Sequence, residues 1–328
     1  MTGSKIEKIE IYLPEKVLSN SDLMNEFPEW DTGKIEKKVG IKNRHIVSEK
    51  ESAFDLALEA GKKVLLDFDR EKIDFILYCT QSTTYFLPSS ACIIQDLLGL
   101  RKDIGALDFN LGCSGFVYGL SIADSLIKSG RASSILLITA ETYSKHLHPL
   151  DKGNRSIFGD GAAATIISKN ENGGIGEFVF GTDGSGFNKL IVKDGAFLSQ
   201  SALLKYEDFQ YDTKYLYMNG PDIFNFTMDV VPQLVTDTLI KNNLDFDDVD
   251  FFIFHQANKY ILEFLRKKIK IPKDKFYINI EETGNTVSAT IPIALSQCLE
   301  QNLIKEGDSV MLIGFGVGLS WAGCIIEI

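Results

Sequence analysis

The sequence predicts a duplicated α/β fold, with two halves each built on a central sheet, and three observations carry that expectation. Apolar runs of five to seven residues, rich in Ile, Leu, Phe and Val, read as strands buried on both faces, and helical patterns lie between them. The chain also repeats itself: Leu66-Asp67-Phe68-Asp69 precedes an apolar run at 73–78, and Leu244-Asp245-Phe246-Asp247 precedes one at 249–254, at offsets of 178 and 176 residues. Leu126-Ile127-Lys128 with Gly130, ahead of 135–138, returns as Leu303-Ile304-Lys305 with Gly307, ahead of 310–313, at offsets of 177 and 175. Four matches in one order on nearly one offset point to duplication rather than chance. Finally, 328 residues, 45% of them hydrophobic and 24% charged, suffice for more than one core. The turn-like Asn170-Glu171-Asn172-Gly173-Gly174 marks the join, giving halves 1–170 and 171–328.

The elements follow in order. Residues 52–67 place Ala53, Leu56, Ala57, Ala60 and Val64 at helical spacing behind the cap Ser52. The runs 73–78, 106–109 and 135–138 read as strands, and Gly115 to Lys128 as a small-residue helix closed by Gly130. In the second half, Asp183 to Tyr217 is rich in Gly, Ser and Tyr and weakly periodic, a loop excursion expected over a site. Strands are expected again at 249–254, at 276–280 and in the β-like stretch 321–328.

Charge and cysteine content restrict the function. With 34 basic against 45 acidic side chains, the net charge of −11 repels a phosphate backbone, so no nucleic-acid partner is expected. No apolar run reaches the roughly 20 residues of a membrane span, and the first ten residues are mostly polar, so a cytoplasmic, membrane-free protein is expected. Cys79, Cys92, Cys113, Cys298 and Cys324 are odd in number and never spaced CxxC, which fits reduced thiols, most of them buried, rather than disulfides or a zinc site.

In α/β sheets ligands collect at the carboxyl ends of strands, which directs attention to the residues just past each apolar run. After Phe109 comes Asn110-Leu111-Gly112-Cys113-Ser114-Gly115, a tight turn placing Cys113 at a helix N-terminus, where unpaired amides and the helix dipole favour a thiolate. After Phe254 comes His255-Gln256-Ala257-Asn258, and after Ile280 comes Gly284-Asn285-Thr286. Cys113 and Asn285 are 172 residues apart, close to the repeat offset, so they occupy equivalent turns facing each other across the pseudo-dyad; the counterpart of His255 is Cys79, read as a buried thiol. Singly, the three have ordinary readings: a packed Cys, a structural imidazole, a turn Asn. Together they meet the needs of thioester chemistry, a nucleophilic thiolate with two neutral donors for an enolate oxygen. The glycine pairs Gly184/Gly186 and Gly316/Gly318 lack the remaining parts of a dinucleotide fingerprint, no Walker loop exists, and His146 and His148 have no third ligand at a recognisable spacing, so no metal or redox cofactor is expected.

At these residues the chain resembles the β-ketoacyl-acyl carrier protein synthase III family of the thiolase superfamily. The matching stretches are Gly40-Ile41 with Arg44-His45-Ile46, Pro88 to Cys92, Cys113 to Phe116, Phe158 to Ala162, His255 to Asn258, Gly284 to Thr286 and Phe315 to Gly318, in the family's order along the whole chain. The resemblance implies a duplicated thiolase-like fold in five αβαβα layers with two central mixed sheets, and a two-stage Claisen condensation. Cys113 takes an acyl group from acyl-CoA; malonyl-acyl carrier protein then loses carbon dioxide and its carbanion attacks the acyl-enzyme. The backbone amides of Cys113 and Val317 hold the tetrahedral oxyanion, and His255 and Asn285 hold the enolate. CoA and carrier-protein thioesters are substrates, no cofactor is needed, and a homodimer is implied.

Departures from the family pattern bear on substrate. Val317 stands where the family often has glycine, Lys38 and Lys152 stand where relatives have CoA-contacting arginines, Trp30 matches the family's adenine-side Trp only with extra residues before Gly40, and Tyr260 replaces an arginine. Asn258 belongs to the same expected CoA and carrier surface. Residues 259–275 carry seven basic against two acidic side chains, and Arg266, Lys267 and Lys268 within them are expected to dock an acidic carrier protein. Leu87, at a position that in the family reaches across the dimer to the end of the acyl pocket, implies room for a primer longer than acetyl. An acyl-condensing or acyl-transfer enzyme of a secondary-metabolite or surface-glycan pathway shares the scaffold, and a non-catalytic scaffold subunit is disfavoured by the presence of Cys113, His255 and Asn285.

Overall fold

The computed structural model describes residues 3–195 and 211–328. The chain opens with β1 (Gly3–Tyr12), followed by a small ribbon of β2 (Val17–Ser19) and β3 (Asn43–His45); β4 (Phe75–Cys79), β5 (Gly105–Phe109), β6 (Ser134–Glu141) and β7 (Gly161–Asn170) complete the first sheet. The second half contributes β8 (Val179–Thr182), the short pair β9 (Leu190–Ile191) and β10 (Tyr217–Met218), then β11 (Phe251–Phe254), β12 (Ser309–Gly316) and β13 (Ser320–Glu327). The sheets run β1-β7-β6-β4-β5 and β8-β13-β12-β11. In both, the first two pairings are antiparallel and the next is parallel. The duplication read from the sequence is therefore a duplication of topology.

The second sheet departs from expectation in one place. Phe276 to Ile280 is not a strand: where the first sheet has β5, the second has one parallel bridge between Phe252 and Phe276. A side chain takes over the ladder. Buried Gln256 donates from Nε2 to the carbonyls of Phe254 (2.7 Å) and Tyr277 (3.3 Å), and its Oε1 accepts the Asn279 N–H at 3.1 Å. The apolar content of 276–280 is accounted for by burial, not by strand pairing.

Between the sheets lie the helices Gly115–Lys128 and Thr290–Glu300. Phe116, Leu120 and Ile127 of the first and Ile291 and Leu295 of the second share one core cluster with Leu77 and Leu137 of one sheet and Val310 and Leu312 of the other. Small residues are required here because the helix lies close to the sheet: a Cβ on Gly119 would stand 2.6 Å from Leu137 Cδ1. Helices Ala53–Val64 and Ser90–Leu97 cover the outer face of the first sheet, and Gly220–Asn242 and Lys259–Ile269 that of the second, which completes five layers. The expected start at Ser52 is a capping box, its N–H and hydroxyl both donating to Asp55 Oδ2 at 2.8 and 2.7 Å. The ends of the expected loop excursion form the β9–β10 pair, while residues 196–210 of it lie outside the described residues. Among the described residues no helix is long and apolar enough to cross a membrane.

The halves meet backbone to backbone. Phe158 and Asn285 form a parallel bridge, with the Asn285 N–H on the Ile157 carbonyl (2.9 Å) and the Gly159 N–H on the Asn285 carbonyl (3.0 Å). Two glycines permit the approach: a Cβ on Gly159 would lie 2.4 Å from the Thr283 carbonyl oxygen, and Gly284, at φ +66°, would meet the Ile157 carbonyl at 2.9 Å. Gly159→Ala is expected to cost about 3 kcal/mol by forcing this backbone contact apart. Gly153→Ala, whose Cβ meets nothing nearer than 3.5 Å, is expected to stay within about 0.5 kcal/mol. Urea denaturation of the two variants measures the difference, and equal stability would show that the seam yields freely.

Candidate active site

The strand-end rule places the three candidate residues separately, and the folded chain brings them to one cavity of about 140 Å³ lined by Cys113, His255 and Asn285, with apolar walls from Leu190, Met218, Ile223 and Phe315. Cys113 sits in the turn between β5 and the inner helix Gly115–Lys128, which the Gly115 N–H closes onto the Gly112 carbonyl at 2.8 Å. Close packing surrounds the sulfur: a Cβ on Gly316 would lie 2.7 Å from Cys113 Sγ, and one on Gly112 would lie 2.5 Å from Val317 Cγ1. Gly316 therefore keeps the thiol approachable and Val317 backs the turn.

His255 follows β11, its N–H continuing the parallel ladder to the Ile313 carbonyl at 2.8 Å. The ring is buried edge-on against Phe315, centroids 5.5 Å apart at 84°, and its Nδ1 lies 2.7 Å from Thr290 Oγ1. Asn285 is oriented by its own turn. Its Oδ1 accepts the Val287 N–H at 2.9 Å, and since an N–H can only donate, the atom facing it is the oxygen and Nδ2 is the group left to the cavity. Val287 holds that turn at φ +56°, strained for a β-branched residue.

Electrostatics follow from burial. Desolvation holds the His255 imidazolium down at about 3, so the ring is neutral at physiological pH. Burial opposes the Cys113 thiolate that the helix N-terminus was expected to favour. Burial pushes the thiol up to about 12, further raised by the Glu141 charge, and this outweighs the backbone N–H groups of Val317 and Cys113 that pull it down. A helix N-terminus favours a thiolate and desolvation disfavours it, and Cys113 is only 6% exposed.

Sequence reasoning missed Glu141, the charged end of β6. Buried, it accepts Ser82 Oγ at 2.9 Å, Ser288 Oγ at 2.7 Å and the Gln81 N–H at 3.1 and 3.2 Å, and burial raises its carboxyl to about 8. It thereby joins the first sheet to the turn carrying Asn285. The signal was available: a carboxylate closing an apolar strand obeys the same strand-end rule as Cys113. Thr290 was also missed, one Thr in a polar turn carrying no distinguishing pattern.

The remaining expected residues spread around the mouth. Trp30 stands edge-on to Phe27, centroids 6.4 Å apart, and Lys152 lies over the same Phe27 ring at 4.9 Å while pairing with Glu29. Lys38 lies 5.8 Å from the centre of the Tyr260 ring. Asn258 lines the cavity, and its Oδ1 caps the helix Lys259–Ile269 through the Ile261 N–H at 2.9 Å. Of the basic stretch, Arg266 pairs with Glu263 (3.0 Å) and donates to the Ile271 carbonyl (3.1 Å), and Lys268 donates to the Met228 carbonyl (2.7 Å); Lys267 and Lys268 are both exposed. Leu87 is 80% exposed and lies outside the cavity on this chain. Among the described residues no group of three His, Cys, Asp or Glu side chains could hold a metal.

Comparison with known proteins identifies the arrangement. The family model described as 3-oxoacyl-[acyl-carrier-protein (ACP)] synthase III matches residues 107–184, which include Cys113, and its C-terminal counterpart matches 239–328, which include His255 and Asn285. Over 340 aligned residues the chain is 37% identical to a β-ketoacyl-[acyl-carrier-protein] synthase III of Clostridium perfringens, with all of both chains covered. The chain belongs to the β-ketoacyl-acyl carrier protein synthase III family. Solved structures of the family agree: a 3-oxoacyl-(acyl-carrier-protein) synthase III crystal structure at 45% identity superposes with a TM-score of 0.95, covering 99% of this chain and 100% of that one. The Burkholderia xenovorans LB400 enzyme, 34% identical, gives the same TM-score over 100% and 95% of the two chains. The thiolase-like fold expected from the sequence is thus the fold of this family.

Because the thiol of this synthase III chain is raised, its thiolate fraction grows about tenfold per pH unit well below the midpoint. Alkylation of Cys113 by iodoacetamide, followed by peptide mass spectrometry, is expected to keep rising from about pH 7 to 9.5, less steeply where Glu141 ionises near pH 8. A plateau by about pH 8 would instead show a stabilised thiolate.

Proposed function

We propose that the chain performs a decarboxylating Claisen condensation of an acyl-CoA primer with malonyl-acyl carrier protein, giving a 3-oxoacyl-acyl carrier protein through an acyl-Cys113 intermediate. The observation that carries it is the meeting of Cys113, His255 and Asn285 in one apolar-walled cavity in a chain of this family. In the first half-reaction the Cys113 sulfur attacks the thioester carbonyl, the tetrahedral oxyanion rests on the amides of Cys113 and Val317, and CoA leaves as its thiol with the Cys113 proton. In the second, malonyl thioester loses carbon dioxide, and the electron pair of the broken bond becomes an enolate whose oxygen accepts from His255 and Asn285. The enolate carbon attacks the acyl carbonyl, and the Cys113 thiolate leaves and is reprotonated.

Neutral donors suit this step. A cationic partner would bind the malonyl carboxylate and oppose its loss, whereas the imidazole, neutral down to about 3, and the Asn285 amide favour charge only on the thioester oxygen. The apolar walls act in the same direction, since a carboxylate departing as neutral carbon dioxide is helped by a poorly solvating surface.

Several features support the partners. Trp30 and Lys152 gathered at Phe27, with Lys38 at Tyr260, offer aromatic and cationic groups for a CoA head group; Lys152 must exchange Glu29 for a phosphate. Lys267, with Asn258 and the partly tied Arg266 and Lys268 nearby in sequence, belongs to the surface assigned to an acidic carrier protein. Tyr85, Phe86 and Leu87 are 50%, 69% and 80% exposed, an apolar run that a second copy of the chain would cover, with Leu87 then bounding the acyl pocket. Five free cysteines fit a reducing, cytoplasmic setting.

Cys113→Ala is expected to abolish acyl-enzyme formation from acyl-CoA in intact-mass measurements. His255→Ala and Asn285→Ala are expected to acylate but to release carbon dioxide from malonyl thioester at least about 100-fold more slowly. Acylation at Cys79 or Cys92 with Cys113 unmodified, or normal condensation in either donor variant, would overturn the assignment.

A further inference from the structure

A neutral imidazole has a single N–H, so His255 can donate to a substrate oxygen only if that hydrogen is on the nitrogen facing the cavity. The partner of the opposite nitrogen controls which it is. Nδ1 lies 2.7 Å from Thr290 Oγ1, the one hydrogen-bond partner found for it among the described residues. Thr290 Oγ1 also lies 3.0 Å from the Val287 carbonyl oxygen. The hydroxyl has one hydrogen and two candidate acceptors. If it goes to Val287, Nδ1 must carry the ring proton and Nε2 is bare; if it goes to Nδ1, Nε2 carries the proton.

Two features of the turn favour the second arrangement. The Val287 carbonyl already accepts the Thr290 backbone N–H, so it is satisfied without the hydroxyl. The Nδ1 contact, at 2.7 Å against 3.0 Å, is also the shorter of the two and so the better placed to take the single hydroxyl hydrogen. We infer that Thr290 is a positioning residue that fixes the His255 tautomer, its hydroxyl donating to Nδ1 and so presenting Nε2–H to the thioester oxygen. The ring cannot easily turn to evade this, being packed edge-on against Phe315 in a buried site. Thr290 is itself 2% exposed and is the first residue of the inner helix Thr290–Glu300, so its hydroxyl is held by the same turn that orients Asn285 through Val287. One turn of six residues, Asn285 to Thr290, therefore sets both donors.

This inference rests on the reading of His255 as the enolate donor, and the test separates the two. In wild-type enzyme with ¹⁵N-labelled histidine, of which the chain has four, the two-bond ¹H–¹⁵N spectrum, assigned through His255→Ala, is expected to show His255 as the Nε2–H tautomer at neutral pH. Thr290→Val removes the hydroxyl at nearly constant shape. It is expected to keep acyl transfer to Cys113 within about twofold, to slow condensation about 10- to 100-fold, and to shift the His255 resonances away from Nε2–H, a loss no larger than that of a whole oxyanion donor. Thr290→Ser, which retains the donor, is expected to restore condensation to within about threefold.

An Nδ1–H tautomer in the wild-type enzyme overturns the inference without needing any variant to fold. So does wild-type condensation by Thr290→Val, or an equal loss of both half-reactions that Thr290→Ser does not repair. If His255→Ala itself condenses normally, the failure lies in the reading of His255, whatever tautomer the spectrum shows.

Discussion

The close approach of two main chains at the junction of the halves is the constraint on which the site depends. Asn285 reaches its place because its N–H and carbonyl are both tied to the backbone of Ile157 to Gly159, and only glycine at 159 and 284 allows the strands of polypeptide that near. A sheet edge would fix one element against its neighbour; this bridge fixes one half against the other. Glu141 adds a second tie, taking Ser82 and the Gln81 N–H from the first half and Ser288 from the second. With the turn Asn285 to Thr290 tied at Asn285 and at Ser288, the proposed nucleophile from the first half faces the proposed donors from the second without either relying on a flexible loop.

Burial then decides the chemistry available. It keeps His255 neutral and Asn285 is neutral by nature, so the site can stabilise an oxygen that becomes negative without attracting the carboxylate that must leave. The same burial raises the Cys113 thiol, so in the proposed mechanism nucleophilicity is gained only as substrate arrives and the proton departs with the leaving thiol. Val287, held at φ +56°, shows where strain is spent: a backbone region disfavoured for a β-branched residue is retained because its N–H orients Asn285 and its carbonyl anchors the start of the helix that carries Thr290.

Much of this was legible in the sequence because duplication and strand ends leave local signatures. The tetrapeptide repeats at Leu66 and Leu244 mark equivalent positions before β4 and β11, and the polar residues just past β5 and β11 stand out against apolar runs. What was not legible depended on long-range contacts. Phe276 to Ile280 has the composition of a strand, yet Gln256 takes its hydrogen bonds, a substitution of side chain for backbone that no local pattern reports. The helix N-terminus behind Cys113 suggested a thiolate; how deeply the turn is buried, and that Glu141 lies near, follows only from the packing of two distant segments. The basic run from Lys259 reads as a uniform patch, but Arg266 is tied to Glu263 and Lys268 to the Met228 carbonyl, although Lys268 is exposed like Lys267.

In the proposed mechanism two neutral donors from the second half converge on one substrate oxygen beside the Cys113 sulfur. A crystal structure of the wild-type enzyme with a non-decarboxylating malonyl thioester analogue would locate that oxygen. The analogue's carbonyl oxygen is expected to lie within about 3 Å of both His255 Nε2 and Asn285 Nδ2, with the carboxylate turned toward the apolar wall. A carboxylate bound at those two nitrogens, or a carbonyl oxygen held elsewhere in the cavity, would contradict it.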